Sequence, residues 1–157
     1  MALLARDVME RHVISLAPED PVSNAYRLFV EEGLHGAPVV DELGRLLGVV
    51  SSLDLLRHAA EMRELPEPDP RDLGELHELG ARLFPVRIEE GTEGEPSVAD
   101  VMTTGAVHVR PDATIAAVAR ALRENAVHRV LVVDEGRVCG IISSFDLLAM
   151  LEKNPPR

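Results

Sequence analysis

The sequence has one cysteine, one lysine and no long hydrophobic run, and these scarcities exclude several classes of protein. A lone Cys139 excludes an internal disulfide and a metal site built from several cysteines. No stretch of about 18 apolar residues is present, so no transmembrane helix is expected. The first residues lack the basic flank and apolar core of a signal peptide. Together these features predict a protein of the reducing cytoplasm.

The 157 residues carry a net charge of −11, which is unevenly distributed along the chain. Residues 61–96 hold eleven acidic and four basic side chains, whereas residues 97–157 hold seven of each. The acidic excess opposes nucleic-acid binding through a broad basic surface, so no nucleic-acid partner is predicted. The balanced last third is still compatible with binding an anion. The preference for arginine over lysine reflects mainly genome bias, and suitability for planar recognition of phosphate is the weaker explanation.

An internal repeat organises the chain. Residues 7–57 align with residues 100–149 with 19 identities in 50 pairs, and one residue drops out of a turn. Chance gives roughly three or four identities at ordinary residue frequencies. The sequence therefore contains a duplication. It divides into repeat 1 at residues 1–60, an acidic insertion at 61–96 and repeat 2 at 97–157.

Each repeat predicts the same order of elements, β-α-β-β-α. The predicted strands lie at 13–14, 37–40 and 46–50 in repeat 1, and at 107–109, 130–133 and 138–142 in repeat 2. The first helix of each repeat is expected to begin at a cap, Asp20 or Thr114, and Gly33 suits the end of the first of them. The closing helices are expected to start at 51–52 and 143–144. Because one unit of about 55 residues is marginal alone, the two should pack around a pseudo-twofold axis as a mixed α/β (α+β) fold.

The insertion differs from the repeats in composition. Prolines at 65–70 predict an extended spacer, and residues 88–96 are polar and glycine-rich, as in a loop. Between them, four leucines fall on one helical face, which predicts a short amphipathic helix: Leu73, Leu76, Leu79 and Leu83. Packing explains such a stripe more simply than a functional device. Whether the stripe covers the module or joins a second chain stays open.

Three motifs stand in the same order and at matched spacing in both repeats, the second of them in full only in repeat 2. They are Asp-Val-Met before each first strand, His-Arg-Val-Leu-Val-Val-Asp-Glu at 128–135, and a glycine, two apolar residues and Ser-x-x-Asp at each closing helix. With these motifs the duplicated unit resembles a CBS domain pair, or Bateman module, of the stand-alone tandem type. His128-Arg129 resembles the nucleotide-binding repeats of the AMP-activated kinase γ subunit. The resemblance implies a regulatory module that binds AMP, ADP, ATP or S-adenosylmethionine between the repeats and signals to a partner protein in trans. It also implies a homodimer.

The resemblance also implies roles for individual residues. Asp54 and Asp146 would hold ribose hydroxyls, Ser51 and Ser143 would lie near the phosphate, and His128 and Arg129 would be phosphate partners. Backbone and apolar atoms would frame the adenine near Ile14, Ala37, Val107 and Val130. Symmetry allows two sites. Repeat 1 departs from repeat 2 because it has His35-Gly36 and no arginine there, so the repeats should not be equivalent.

The Ser-x-x-Asp motif has two physical explanations. A helix N-terminus favours phosphate, and a carboxylate accepts hydrogen bonds from two neighbouring hydroxyls at once. The same four residues also form a capping box, which satisfies the donors of the helix itself. Both roles are compatible, and the sequence leaves them open.

No other pattern indicates catalysis or a required cofactor. The Asp-Glu pairs at 41–42 and 134–135 lie at turns, and Cys139 lies in an apolar strand, which favours a core role. No nucleophile triad, P-loop or histidine–cysteine metal spacing is present, so no enzyme is predicted. The alternative to a ligand sensor is a ligand-free scaffold for dimerisation and protein interaction.

Overall fold

The computed structural model describes residues 2–61 and 94–155. Repeat 1 contains α1 (Ala5–Val8), α2 (Val22–Glu32), β1 (Gly36–Val40), β2 (Leu46–Ser51) and α3 (Ser52–Glu61). Repeat 2 contains α4 (Val98–Val101), β3 (His108–Val109), α5 (Ile115–Glu124), β4 (Arg129–Asp134), β5 (Arg137–Ser143) and α6 (Ser144–Lys153). The mixed α/β class is confirmed. The predicted spacer and leucine-striped helix lie outside the described residues, as does the predicted loop up to residue 93.

A β-hairpin forms the centre of each repeat. β1 and β2 are antiparallel, as are β4 and β5, and β3 adds to β4 in parallel. The turn of repeat 2 is tight, because Glu135 and Gly136 both adopt positive φ angles of 48° and 83°, as a two-residue hairpin turn requires. The turn of repeat 1 is one residue longer and is closed by the Asp41 carboxylate, which accepts from the Leu43 and Arg45 amides at 2.9 Å.

The prediction of a first strand at residues 13–14 of repeat 1 is wrong. Within the described residues, the segment between α1 and α2 pairs with β1 through one parallel bridge, between Leu16 and Val39. In repeat 2 the Leu131 amide donates to the Val107 carbonyl at 3.4 Å, just before β3. The aligned residue of repeat 1 is Pro38, which has no amide hydrogen to donate. The ladder therefore begins later in repeat 1.

The two long first helices start differently. Thr114 caps α5 as predicted, since its hydroxyl accepts from the Ala117 amide at 3.2 Å. The cap predicted at Asp20 is wrong, because its carboxylate accepts from the Ala17 amide at 2.9 Å and closes the preceding turn. The Ser23 amide of α2 donates instead to Glu95 at 2.8 Å. Gly33 ends α2 with a φ of 62°, as predicted.

The short helices α1 and α4 are exchanged between the repeats. Ala5 of α1 is buried in the core cluster of repeat 2, and Val98 of α4 is buried in that of repeat 1. The Ala5 amide donates to the Ala113 carbonyl at 2.8 Å, and the Val98 amide donates to the Asp20 backbone carbonyl at 2.7 Å. Each hydrophobic core is therefore completed by a short helix from the other repeat.

Matched pairs of contacts show the pseudo-twofold symmetry of the repeats. Glu10 pairs with Ile141 of β5, and the aligned Thr103 pairs with Val49 of β2. Arg45 pairs with Arg137, its own counterpart, where the two hairpins meet. Two repeats packed around a pseudo-twofold axis were predicted, and this arrangement is confirmed. No helix in the described ranges is long and apolar enough to span a bilayer.

Candidate functional site

A capping box is present at the N-terminus of both closing helices. In repeat 1 the Ser51 amide and hydroxyl donate to Asp54 Oδ2 at 2.7 and 2.8 Å, and the Asp54 amide donates back to Ser51 Oγ at 3.2 Å. Ser143 and Asp146 repeat this geometry at 2.7, 2.7 and 3.2 Å. One oxygen of each carboxylate is therefore committed to its own helix, and Oδ1 is left over.

The remaining oxygen of Asp54 contacts the other repeat. Asp54 Oδ1 accepts from the Thr103 hydroxyl at 3.2 Å, although the two residues are 49 positions apart. We call the group around Asp54, Ser51 and Thr103 the Asp54 site. Thr103 was not predicted from the sequence. The available signal was its place directly after the repeated Asp-Val-Met motif.

The corresponding group in repeat 2 is the Asp146 site, formed by Asp146, Ser143 and the residue aligned with Thr103, which is Glu10. Within the described residues, no hydrogen bond is made to Asp146 Oδ1. The Glu10 side chain turns toward its own loop, where Oε1 accepts from the His12 amide at 2.8 Å. The two sites therefore share a backbone arrangement, and the side chain at this position differs between them.

His128 and Arg129 lie beside the N-terminus of α6. The His128 carbonyl accepts from the Ser144 amide at 2.9 Å, and Arg129 pairs in register with Ser143. Both residues are exposed, and Arg129 makes no ion pair within the described ranges. In repeat 1 the His35 carbonyl accepts from Ser52 in the same way, and a glycine replaces the arginine. At this aligned position of the described repeats, a guanidinium therefore adjoins the Asp146 site and none adjoins the Asp54 site.

The four residues expected to frame adenine fall into two groups. Ala37 and Val130 are 3% and 1% exposed, so their side chains belong to the two cores and only their backbone is offered to a ligand. Ile14 and Val107 are half-buried, and each lies in the segment leading to the first strand position of its repeat. Val107 also packs against the core of repeat 2.

Two other groups singled out in the sequence have structural partners. Hydrogen bonds from the Arg45 backbone and side chain hold the pKa of Asp41 below its ordinary value, as suits a carboxylate that closes a turn. Burial raises the pKa of the Cys139 thiol, and the nearby Asp134 carboxylate adds to the effect. Cys139 Sγ lies 3.3 Å from the Val132 carbonyl. The thiol therefore stays protonated and serves packing.

Known proteins share both the sequence pattern and the fold. An uncharacterised protein of Methanocaldococcus jannaschii is 32% identical over 158 residues, covering 95% of this chain and 91% of the relative. The crystal structure of CBSX2, an Arabidopsis thaliana protein, in complex with AMP has a TM-score of 0.70 at 27% identity and covers 96% of both chains.

A second solved structure shows the same fold at lower identity. The CBS domain pair of protein MJ0100, solved with 5′-methylthioadenosine and S-adenosyl-L-methionine, has a TM-score of 0.68 at 19% identity over 98% of both chains. The family model of the CBS domain matches residues 5–61 and 98–153 of the present chain. The chain therefore belongs to the CBS domain family and contains a CBS domain pair.

Proposed function

We propose that this CBS domain pair is a regulatory module that binds an adenine nucleotide or another adenosyl compound between its repeats. The observation that carries the proposal is the position of the Asp54 carboxylate. Its Oδ2 is held by the capping box, and its Oδ1 accepts from the hydroxyl of Thr103 in the other repeat. A ribose diol that donates to Asp54 Oδ1 would bridge the repeats. AMP in CBSX2, and 5′-methylthioadenosine and S-adenosyl-L-methionine in MJ0100, support AMP, ADP, ATP or S-adenosylmethionine as ligand.

The remaining predicted residues have places in this proposal. Phosphate or carboxylate groups of the ligand would bind near Ser51 or Ser143, where the helix N-terminus carries partial positive charge. At the Asp146 site, Arg129 and His128 would make further contacts with the ligand's phosphate. The backbone of Ala37 or Val130 would contact the adenine, flanked by Ile14 and Val107.

Signalling would follow from the position of both sites on the seam between the repeats. Thr103 and Val49 exchange two backbone hydrogen bonds, at 2.8 and 2.9 Å, directly beside Asp54. A ligand shifts the relative orientation of the repeats only by its differential affinity for the two arrangements. An effector protein acting in trans would read that shift. In this proposal the chain has no catalytic role and works in the cytoplasm.

Alanine substitution of the two carboxylates tests the proposal. Asp54→Ala and Asp146→Ala should each weaken binding at one site at least tenfold, because a hydrogen bond to a charged group contributes about 1.5–3 kcal/mol. The double variant should bind at neither site. Calorimetric titration with AMP, ATP and S-adenosylmethionine measures the affinities and the number of sites.

Asp100→Ala is the matched control. Asp100 forms the same box with Ser97 at α4, with amide and hydroxyl donors at 2.9 and 3.1 Å, but α4 packs in a core. Its loss should lower stability by about 1 kcal/mol and leave binding unchanged. If the wild-type protein binds none of the three compounds at millimolar concentration, or if Asp54→Ala, Asp146→Ala and Asp100→Ala bind alike, the ligand-sensing proposal is wrong.

A ligand-free scaffold is the second candidate function. The observation that favours it is a set of exposed apolar side chains on the closing helices: Leu53, Phe145, Leu148 and Leu151. The three on α6 follow each other at three-residue intervals and share one side of the helix. Contiguous exposed apolar surface marks a contact with another protein, so a homodimer through α3 and α6 fits this surface.

A further inference from the structure

A separate polar pocket lies at the opposite end of β4 from the Asp146 site. It has a volume of about 190 Å³ and is lined by residues of both repeats: Arg6, Arg110, Pro111, Asp112 and Asp134. Asp134 ends β4, whereas Arg129, which adjoins the Asp146 site, begins it. At about 3.3 Å per residue, the two ends of this strand are roughly 16 Å apart. We call this group the Arg6 pocket, and it shares no residue with the Asp54 or the Asp146 site.

The backbone at Arg6 is repeated on the other side of the pseudo-twofold axis. The Arg6 amide donates to the Pro111 carbonyl at 3.0 Å, and the aligned Ala99 amide donates to the Pro18 carbonyl at 2.9 Å. An alanine therefore makes the same backbone contact as the arginine. The guanidinium of Arg6 is not needed to dock its helix, and within the described residues it has no hydrogen bond or ion pair.

Arg110 also stands where the other side of the molecule has an alanine. The Ala113 amide donates to the Arg110 carbonyl at 3.0 Å and closes a turn, which in repeat 1 is closed at the Ala17 carbonyl at 3.1 Å. Arg110 Nε pairs with Asp112 Oδ1 at 3.2 Å, and its two Nη groups have no partner among the described residues. Two guanidiniums thus line the Arg6 pocket on a backbone that requires neither of them.

The carboxylates of the two sides differ as well. Asp41, the counterpart of Asp134, pairs with Arg45 Nε at 2.8 Å and closes its turn. In the part of the chain that the structure describes, the Asp134 carboxylate accepts no hydrogen bond and makes no ion pair, although it lines one pocket with two arginines. Side chains of opposite charge therefore face the same space without pairing. The two arginines and two aspartates give the Arg6 pocket no net charge.

We propose that the Arg6 pocket binds a small zwitterion of the class of the free α-amino acids. The carboxylate of the ligand pairs with Arg6 and the Nη groups of Arg110, because a guanidinium presents paired donors that match a carboxylate. The ammonium group donates to Asp134. A phosphate is attracted by the arginines but repelled by the two aspartates, and a simple amine has the opposite conflict. This inference is independent of adenosyl binding.

Three compounds of similar size separate the two charges of the ligand. L-Alanine carries both, propionate carries only the carboxylate, and ethylamine carries only the ammonium. NMR titration of isotope-labelled protein follows the amide signals of Arg6 and Ala113, which lie in the backbone around the pocket. L-Alanine should bind with millimolar affinity, and propionate and ethylamine about fivefold more weakly, as expected for the loss of one exposed ion pair. Recognition uses groups common to all α-amino acids, so L-alanine suffices as the probe.

Substitutions assign the binding to this pocket. Arg6→Ala and Arg110→Ala introduce the residue found at the aligned position of the other repeat, so both variants should fold, as far-UV circular dichroism verifies. Each should weaken L-alanine binding about fivefold, and so should Asp134→Asn. Arg123→Ala is the matched control, because it removes an exposed arginine in the last turn of α5, and it should leave the affinity unchanged.

The opposite results overturn the assignment. If propionate or inorganic phosphate binds more tightly than L-alanine, the pocket selects anions and not zwitterions. If Arg123→Ala weakens binding as much as Arg6→Ala, the effect reflects overall charge rather than the pocket. If L-alanine at millimolar concentration shifts neither amide signal, the pocket has no ligand of this class. Calorimetric titration with adenosyl compounds is a separate measurement, so the proposed function is tested independently of these outcomes.

Discussion

At the scale of single residues, the aligned positions of the two repeats provide internal comparisons. Gly33 ends α2 with a φ of 62°, and the aligned residue after α5 is Ala126 with a φ of 51°. A side chain with a Cβ is strained in this left-handed region, whereas glycine is not. The same turn is thus made with strain in repeat 2 and without it in repeat 1.

Exchange of these two residues should therefore change stability in opposite directions. Ala126→Gly should raise the free energy of unfolding by about 1 kcal/mol, since relief of strain exceeds the added entropy of the unfolded chain. Gly33→Ala should lower it by about the same amount. Urea unfolding followed by circular dichroism measures both. Equal signs for the two variants would contradict the explanation.

The candidate site was predictable only as far as its residues are close in the sequence. The residues in each pair, Ser51–Asp54 and Ser143–Asp146, are three positions apart, so the motif predicts a helix start and a capping box. Thr103 meets Asp54 across 49 positions, through a contact between repeats. No local pattern encodes that contact, so Thr103 is recognised as a site residue only once the fold places it beside Asp54.

At the scale of elements, periodicity and turn residues predicted most helices and hairpins. The first strand of repeat 1 was misplaced because apolar character at 13–14 indicates extended backbone but not a partner. The missing amide hydrogen of Pro38 decides where pairing begins. The Asp20 cap failed for a similar reason, since two backbone donors compete for one carboxylate and the preceding turn takes it.

Two glycines let the exchanged segments approach the hairpins. A Cβ on Gly48 would meet the Thr103 carbonyl oxygen at 2.7 Å, whereas the three atoms nearest to a Cβ on Gly140 all belong to the Met9 side chain. Gly48→Ala and Gly140→Ala should both destabilise the protein, by about 1–3 kcal/mol as overpacked sites do. Gly48→Ala should cost more, because a backbone carbonyl cannot rotate away.

Second-site substitutions distinguish the two cases. Met9→Ala should partly restore the stability of Gly140→Ala, whereas Met102→Ala should not restore Gly48→Ala, because the Thr103 carbonyl remains. Double-mutant cycles from urea unfolding measure these couplings. Similar rescue at both positions would show that the carbonyl contact does not limit Gly48.

At the scale of the whole molecule, the exposed apolar side chains of α6 predict that the protein forms a homodimer. Leu148→Asp should convert a dimer to single chains, because a charge would be buried at the proposed contact. Val30→Asp is the control, since Val30 is 75% exposed and lies on α2 rather than on a closing helix. Light scattering at micromolar concentration measures the mass. A wild-type monomer, or equal dissociation by Val30→Asp, would exclude this dimer.

The exchange of α1 and α4 also bears on how such a chain arose. In this architecture the short helix of each repeat packs in the core of the other, so two separate copies would have to exchange these helices in a domain-swapped pair. Fusion of the two copies into one chain makes this exchange of helices intramolecular, and folding then no longer depends on protein concentration. During synthesis, the core of repeat 1 is completed only after Val98 has left the ribosome.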